Sequence, residues 1–133
     1  MTLKTKKKSK IEIFSDDRGD LCPSSFSNLA FNPKRSFIVY NVPEASQRGA
    51  HAHRETEQYL ICLNGRIEVR LDNANETKTW SLKKGEALYQ NKMEWADLIF
   101  KESNSILYVI SSTEYDESDY IRDYNTFLQE AAS

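Results

Sequence analysis

Apolar and polar positions alternate with a period of two along most of this chain. The clearest run is Arg66-Ile67-Glu68-Val69-Arg70-Leu71-Asp72, charged or polar at one position and apolar at the next. That is the pattern of a strand with one face buried and the other in water. Tyr59-Leu60-Ile61-Cys62-Leu63 is short, apolar and rich in strand formers, and Asn64-Gly65 after it predicts a hairpin turn. Further strands are predicted at Ile11 to Phe14, Lys34 to Val42, Thr77 to Leu82, Ala87 to Tyr89, Glu94 to Phe100 and Ser105 to Ser111. Turn residues separate them, at Asp16 to Asp20, Asn73 to Asn75 and Lys83 to Gly85. So many short strands at regular spacing predict an all-β sandwich or barrel whose later half runs as a meander. Only the tail changes period: Ser118-Asp119 reads as a helix cap, followed by Ile121, Tyr124, Phe127 and Leu128 at helical spacing.

Length and charge narrow the picture. A chain of 133 residues is enough for one domain with a real core. Its 39% hydrophobic and 29% charged content is that of a soluble globular protein. Five lysines fall in the first ten residues, so residues 1–10 are expected to be a flexible basic arm and 11–133 the folded domain. The remainder holds 13 basic against 20 acidic residues, which argues against a nucleic-acid face. No apolar run approaches the roughly 18–20 residues of a membrane span, and the N-terminus lacks the apolar core of a signal peptide. A cytoplasmic protein without membrane or nucleic-acid partners is expected. Cys22 and Cys62 form no metal or redox spacing.

The chemistry-bearing stretch is Arg48 to Gly65, RGAHAHRETEQYLICLNG, which holds the only two histidines, His51 and His53. On a strand an H-x-H pair puts both imidazoles on one face. These are the side chains whose ordinary pKa lies near neutrality. Two imidazoles with at most one carboxylate nearby fall short of the three or more protein ligands that zinc or iron wants. No metal and no cofactor is expected, and the histidines point to proton transfer.

Gly49-Ala50-His51-Ala52-His53, then Gln58, then Gly65 resembles the first motif of the cupin superfamily. That resemblance implies a double-stranded β-helix, or jelly-roll barrel, closed here by a short C-terminal helix. The chain departs from metal-binding cupins at Gln58, where they carry a glutamate, and at Trp95-Ala96, where a later histidine would fall. A closer likeness covers about Asp16 to Leu128. Arg18-Gly19, Lys34-Arg35, Arg48-Gly49-Ala50-His51-Ala52-His53 and the tail Tyr115-Asp116-Glu117-Ser118-Asp119-Tyr120-Ile121-Arg122 resemble the dTDP-4-keto-6-deoxyglucose 3,4-ketoisomerases, small cupins of bacterial deoxysugar biosynthesis.

The resemblance implies movement of a ketone from C4 to C3 of a dTDP-linked sugar through an enediolate, with no redox change. His51 and His53 are the expected acid/base pair, their individual roles open. Arg18, Arg35 and Arg48 are the candidate anchors for the substrate's diphosphate, because a guanidinium fork suits phosphate. Gln58 is a candidate partner for a sugar hydroxyl, and Tyr40, Tyr89 or Trp95 for stacking on thymine. Phe37 offers no hydroxyl for a proton relay. A homodimer is expected, with a strand near Ile11 to Phe14 crossing to the partner. Two rival readings are a sugar-nucleotide 3,5-epimerase and a non-catalytic cupin that binds a sugar or a metal.

Overall fold

The computed structural model describes residues 6–133. Two five-stranded antiparallel sheets face each other. The first has strand order β1 (Lys8–Lys10), β9 (Glu86–Gln90), β6 (Gln58–Asn64), β11 (Ile106–Ser111) and β4 (Arg35–Val39). The second has order β12 (Tyr120–Ile121), β5 (Ser46–His53), β10 (Trp95–Phe100), β7 (Arg66–Asp72) and β8 (Thr77–Lys83). A separate two-stranded ribbon, β2 (Phe14–Asp16) with β3 (Gly19–Leu21), completes the β-structure, and helix α1 (Tyr124–Ala131) follows β12. This is the expected jelly-roll barrel with a short C-terminal helix. No helix among the described residues is long and apolar enough to cross a membrane.

The alternation read from the sequence sorts the two faces. Leu60, Cys62, Leu88, Leu107 and Val109 of the first sheet meet Ile67, Val69, Leu71, Leu82, Leu98 and Phe100 of the second. Burying such a side chain contributes about 1.5–3 kcal/mol, so this layer is the main stabilising core. Residues directly opposite in an antiparallel pair share a face, and that rule exposes a change of character along the barrel. Leu88, Leu60, Val109 and Phe37 form an apolar row across four strands of the first sheet. Two residues further along each strand, the next row is Gln90, Gln58, Ser111 and Arg35. The interior is therefore apolar for most of its depth and polar at one end.

Two smaller cores complete the packing, one of Ile11, Leu29, Tyr59, Ile61, Ala87 and Ile110 on the first sheet, the other outside the second sheet. Ala52, Trp95, Ile121 and Phe127 pack together beneath α1. Asp123 caps this helix by accepting from the Thr126 amide at 2.9 Å, a favoured N-cap arrangement.

Several boundaries differ from the sequence pattern. Asn64-Gly65 turns the chain, but β6 and β7 belong to different sheets, so the turn is a crossover between layers and not a hairpin. Gly65 has φ +75°, and a Cβ there would lie 2.7 Å from Ser105 Cα, so only glycine fits. The meander holds only for β7–β8, because β9 returns to the first sheet. The first strand is Lys8–Lys10 and not Ile11 to Phe14; Ile11 is buried outside any strand. Residues 1–5 of the expected basic arm lie outside the described residues, while Lys8–Lys10 pair along the β9 edge. In the tail, Ser118-Asp119 sits in a 3-10 turn and Ile121 in β12, so the helix starts six residues past Ser118.

Candidate active site

The polar end of the barrel is where β5 delivers its histidines. Ala96 lies opposite His51 and Asp97 opposite Gly49, leaving Ala50 as an extra residue, a β-bulge. Gly49 has φ +89°, and a Cβ there would stand 2.9 Å from the Ala96 carbonyl oxygen. The bulge resets the alternation. Arg48 lies opposite the core residue Leu98 and His51 opposite the core residue Ala96, so both face inward despite their odd separation. Ala52 points the other way, under α1.

The two imidazole rings sit edge-on, centroids 5.0 Å apart. Tyr120, opposite His53 on β12, covers both, its ring 5.0 Å from His51 and 4.4 Å from His53. His53 is only 3% exposed. Its Nδ1 stands 3.2 Å from Asp119 Oδ2. Asp119 is itself fixed: its Oδ1 accepts from the Glu55 amide at 2.7 Å, and its Oδ2 accepts from the Thr56 hydroxyl. Burial works against ionisation of Asp119. The Thr56 and Glu55 hydrogen bonds and the nearby His53 outweigh it, so the carboxyl stays below its ordinary pKa. An ionised Asp119 makes His53 Nδ1 the N–H donor and leaves Nε2 with the lone pair. His53 Nε2 and His51 Nδ1 are buried and have no hydrogen-bond partner among the described residues. Buried polar atoms are seldom left in that condition, and here both belong to the one pair of rings.

Burial lowers the pKa of each imidazole. For His53, burial and the neighbouring His51 outweigh Asp119, and the value falls to about 4. His51 is lowered less, by burial first, with the Gly49 backbone opposing. Both rings are therefore neutral at neutral pH.

Of the other expected site residues, Gln58 and Arg35 join the histidines. They line a small cavity with His53, Thr56, Ser111, Tyr115 and Tyr120. Gln58 donates to Ser111 Oγ at 2.9 Å, and the Arg35 guanidinium lies over the rings of Phe37 and Tyr115, 4.7 and 5.3 Å from their centroids. Arg48 opens instead into a neighbouring groove of about 320 Å³ with Tyr40 and Pro43. Arg18 is not brought to the histidines. It sits on the β2–β3 turn, forked onto Asp16, and is not among the charged groups that act on either ring. Trp95 is buried under α1 beside Tyr124 and Phe127, so it cannot stack on a ligand. Tyr89 is occupied by Glu57, which leaves Tyr40, 60% exposed beside Arg48.

Thr56, Asp119, Tyr120 and Arg122 carry no site chemistry that the sequence pattern shows. Asp119 and Tyr120 sit in a segment whose Ser-Asp pair reads as a helix cap. No group of three or more His, Cys, Asp and Glu side chains placed to hold a metal occurs among the described residues.

A two-sheet jelly roll whose polar end holds an H-x-H pair, with glutamine in place of the usual ligand glutamate, defines a small cupin-like protein. The chain belongs to the FdtA family, described as WxcM-like, C-terminal, whose model matches residues 4–132. It is 35% identical over 114 residues to the TDP-4-oxo-6-deoxy-alpha-D-glucose-3,4-oxoisomerase of Aneurinibacillus thermoaerophilus, covering 84% of this chain and 82% of that one. Among solved structures it resembles QdtA, a sugar 3,4-ketoisomerase from Thermoanaerobacterium thermosaccharolyticum in complex with TDP. The identity is 31%, the TM-score 0.85, and 96% of each chain is covered. A 3,4-ketoisomerase from Helicobacter canadensis is similar at 31% identity and TM-score 0.86, over 96% of this chain and 97% of that one.

Proposed function

We propose that this protein is a sugar-nucleotide 3,4-ketoisomerase that moves the ketone of a dTDP-4-keto-6-deoxyhexose from C4 to C3. The observation that carries the reading is the pair of neutral imidazoles at the polar end of the barrel, His53 buried and His51 half-buried, each with one buried ring nitrogen that has no partner among the described residues. The relatives' named activity supports it. The C3 hydrogen lies next to the C4 carbonyl and is acidic enough for a neutral imidazole. His51 is assigned as the base, because His53 is the ring paired with Asp119 and so is the one fitted to carry a shuttled proton. It takes the C3 proton, the electron pair forms C3=C4, and the carbonyl oxygen becomes the enediolate oxygen. His53 Nε2 removes the proton from the C3 oxygen and delivers it to the C4 oxygen, Asp119 stabilising the transient imidazolium. His51 then returns its proton to C4, leaving the ketone at C3. Hydrogen is redistributed and nothing is oxidised or reduced overall, so the proposed route uses no metal or nicotinamide.

Gln58 and Arg35, on the inner face, are the proposed contacts to the sugar. Arg48, beside the exposed ring of Tyr40, is the proposed diphosphate anchor with that ring stacking on thymine; Arg18 has no part within a single chain. The test is carbon NMR of dTDP-4-keto-6-deoxyglucose incubated with the protein in heavy water. The carbonyl signal is expected to move from C4 to C3. A ketone that stays at C4 while deuterium enters C3 and C5 would identify an epimerase, and an unchanged sugar would leave a binding cupin.

The active species is proposed to be a homodimer. Phe14 and Leu21, paired across the ribbon, and Phe26 are each more than half exposed. Phe14 also lines a cavity of about 800 Å³ together with Ile11 and Ile13, and neither histidine lines it. Apolar surface of this kind marks an interface. Sedimentation equilibrium is expected to give twice the 15.4 kDa chain mass, and Leu21→Glu to shift it toward monomer. A wild-type monomer at micromolar concentration would refute the assembly.

A further inference from the structure

We propose that Arg122 is a catalytic residue, the cation that stabilises the negative oxygen of the enediolate. This rests on the ketoisomerase reading and adds to it a group outside the histidine pair. Its placement follows from the backbone. Ile121 points under α1 and Tyr120 faces the histidines. Arg122 follows directly at the end of β12, its side chain half exposed at the rim of the site. Its guanidinium lies 4.4 Å from the centroid of the Tyr120 ring, the ring that covers both imidazoles. The same charge reaches both histidines, opposing protonation of each.

The fork is set for two oxygens. Nε and Nη2 of Arg122 donate to the two carboxylate oxygens of Glu117 at 2.8 and 3.0 Å. An enediolate presents the same kind of target, two neighbouring oxygens held in one plane by C3=C4, and bidentate recognition of such a pair is what a guanidinium does best. Both partners of the Glu117 pair are more than half exposed. Glu117 also accepts from the Tyr115 hydroxyl at 2.7 Å, and at an exposed site the pair can exchange for a better-placed anion. By contrast Arg54, which also borders the tail, is committed to Glu130 and to the Ser118 and Tyr120 carbonyls, and Arg35 stacks on Phe37 and Tyr115.

Arg122→Ala is the test, with kcat, TDP affinity by calorimetry and the pH profile of kcat/KM measured together. A cation acting at the reacting oxygens predicts a fall in kcat of about 100-fold or more, with TDP affinity within about twofold. The charged groups around the rings, besides Arg122 itself, are Glu117 and Asp119 of the tail, Asp97 of β10, and Arg35, Glu114 and Asp116 of the cavity that His53 lines. Removing Arg122 takes away a positive charge that opposes protonation, so the imidazole pKa values rise and the acid limb of kcat/KM moves to higher pH. Added guanidinium is expected to restore part of the rate, and Arg122→Lys to retain more activity than alanine does. If alanine fails to fold, the lysine variant decides by the same split, with lower kcat and unchanged TDP affinity. Unchanged kcat, or a loss of TDP affinity, overturns the proposal, the second by assigning Arg122 to the diphosphate. Turnover of the keto sugar by the wild-type protein in the same assay separates failure of this assignment from failure of the ketoisomerase reading.

Discussion

His51→Asn and His53→Asn are each expected to lower keto transfer by about 10²–10⁴-fold, the usual contribution of a positioned acid or base. Both variants should keep the fold, since asparagine is smaller and polar and the barrel core of Leu, Ile, Val and Phe lies in the adjoining layers. They should fail differently. With His51 replaced, no group removes the C3 proton, so the keto sugar should neither isomerise nor exchange C3 hydrogen with heavy water. With His53 replaced, His51 still takes that proton, so C3 deuterium should enter the recovered 4-keto sugar while the ketone stays at C4. The pH profile follows from the same site. A base works in its neutral form, and burial holds both pKa values below the ordinary imidazole value. The acid limb of kcat/KM should therefore lie below about pH 6.5, with no loss through neutral pH. Full activity in both variants would remove the histidines from the mechanism. C3 exchange that persists in His51→Asn but disappears in His53→Asn would reverse their roles.

Most of the strands were legible because one face of each is buried and the other is not. Arg66 to Asp72 alternates without a break and forms β7 over those same residues. What alternation cannot report is which sheet a strand joins. Asn64-Gly65 is a sound turn signal, but the decision between hairpin and crossover is made by where β7 can bury Ile67, Val69 and Leu71. They pack against Leu60, Cys62 and Val109 across the barrel, not beside them in one sheet. Lys8–Lys10 shows the opposite failure. A lysine-rich run reads as solvated, yet only Ser9 needs to be buried for β1 to take the edge of β9, and its lysines stay at the surface. The candidate site was half legible. Two histidines two apart declare a shared face, and Gln58 falls on the inner row two residues before Leu60. The bulge at Gly49-Ala50, which sets Arg48 and His51 on one side, has no period of its own. The tail was misread for a physical reason: Ser-Asp favours both a helix cap and a tight turn, and only the pairing of Tyr120 with His53 decides between them.

That pairing is what makes Asp119 a positioning residue, and Asp119→Asn is expected to lower kcat by about 10²-fold or more while leaving TDP affinity nearly unchanged. The carboxylate can only accept, so it holds His53 as the tautomer with hydrogen on Nδ1 and a lone pair on Nε2. An asparagine amide can donate to Nδ1, which favours hydrogen on Nε2 and removes the acceptor that the C3 hydroxyl needs; loss of the orienting carboxylate in hydrolase triads acts in this way. Asparagine keeps an oxygen for the Glu55 amide, and the Thr56 hydroxyl can turn to donate to Thr113 and accept from the new amide, so the tail should stay docked. A purely structural contribution would appear as a fall in melting temperature with an unshifted pH profile. The positioning role predicts a shift, and its sign is fixed. Asp119 raises the His53 pKa by its charge and its hydrogen bond. Neutralising it lowers that pKa further and moves the acid limb of the residual activity to lower pH, opposite to the displacement expected for Arg122→Ala. An Asp119→Asn enzyme with wild-type kcat, or with an acid limb displaced upward, would show that His53 is not held for catalysis by this carboxylate.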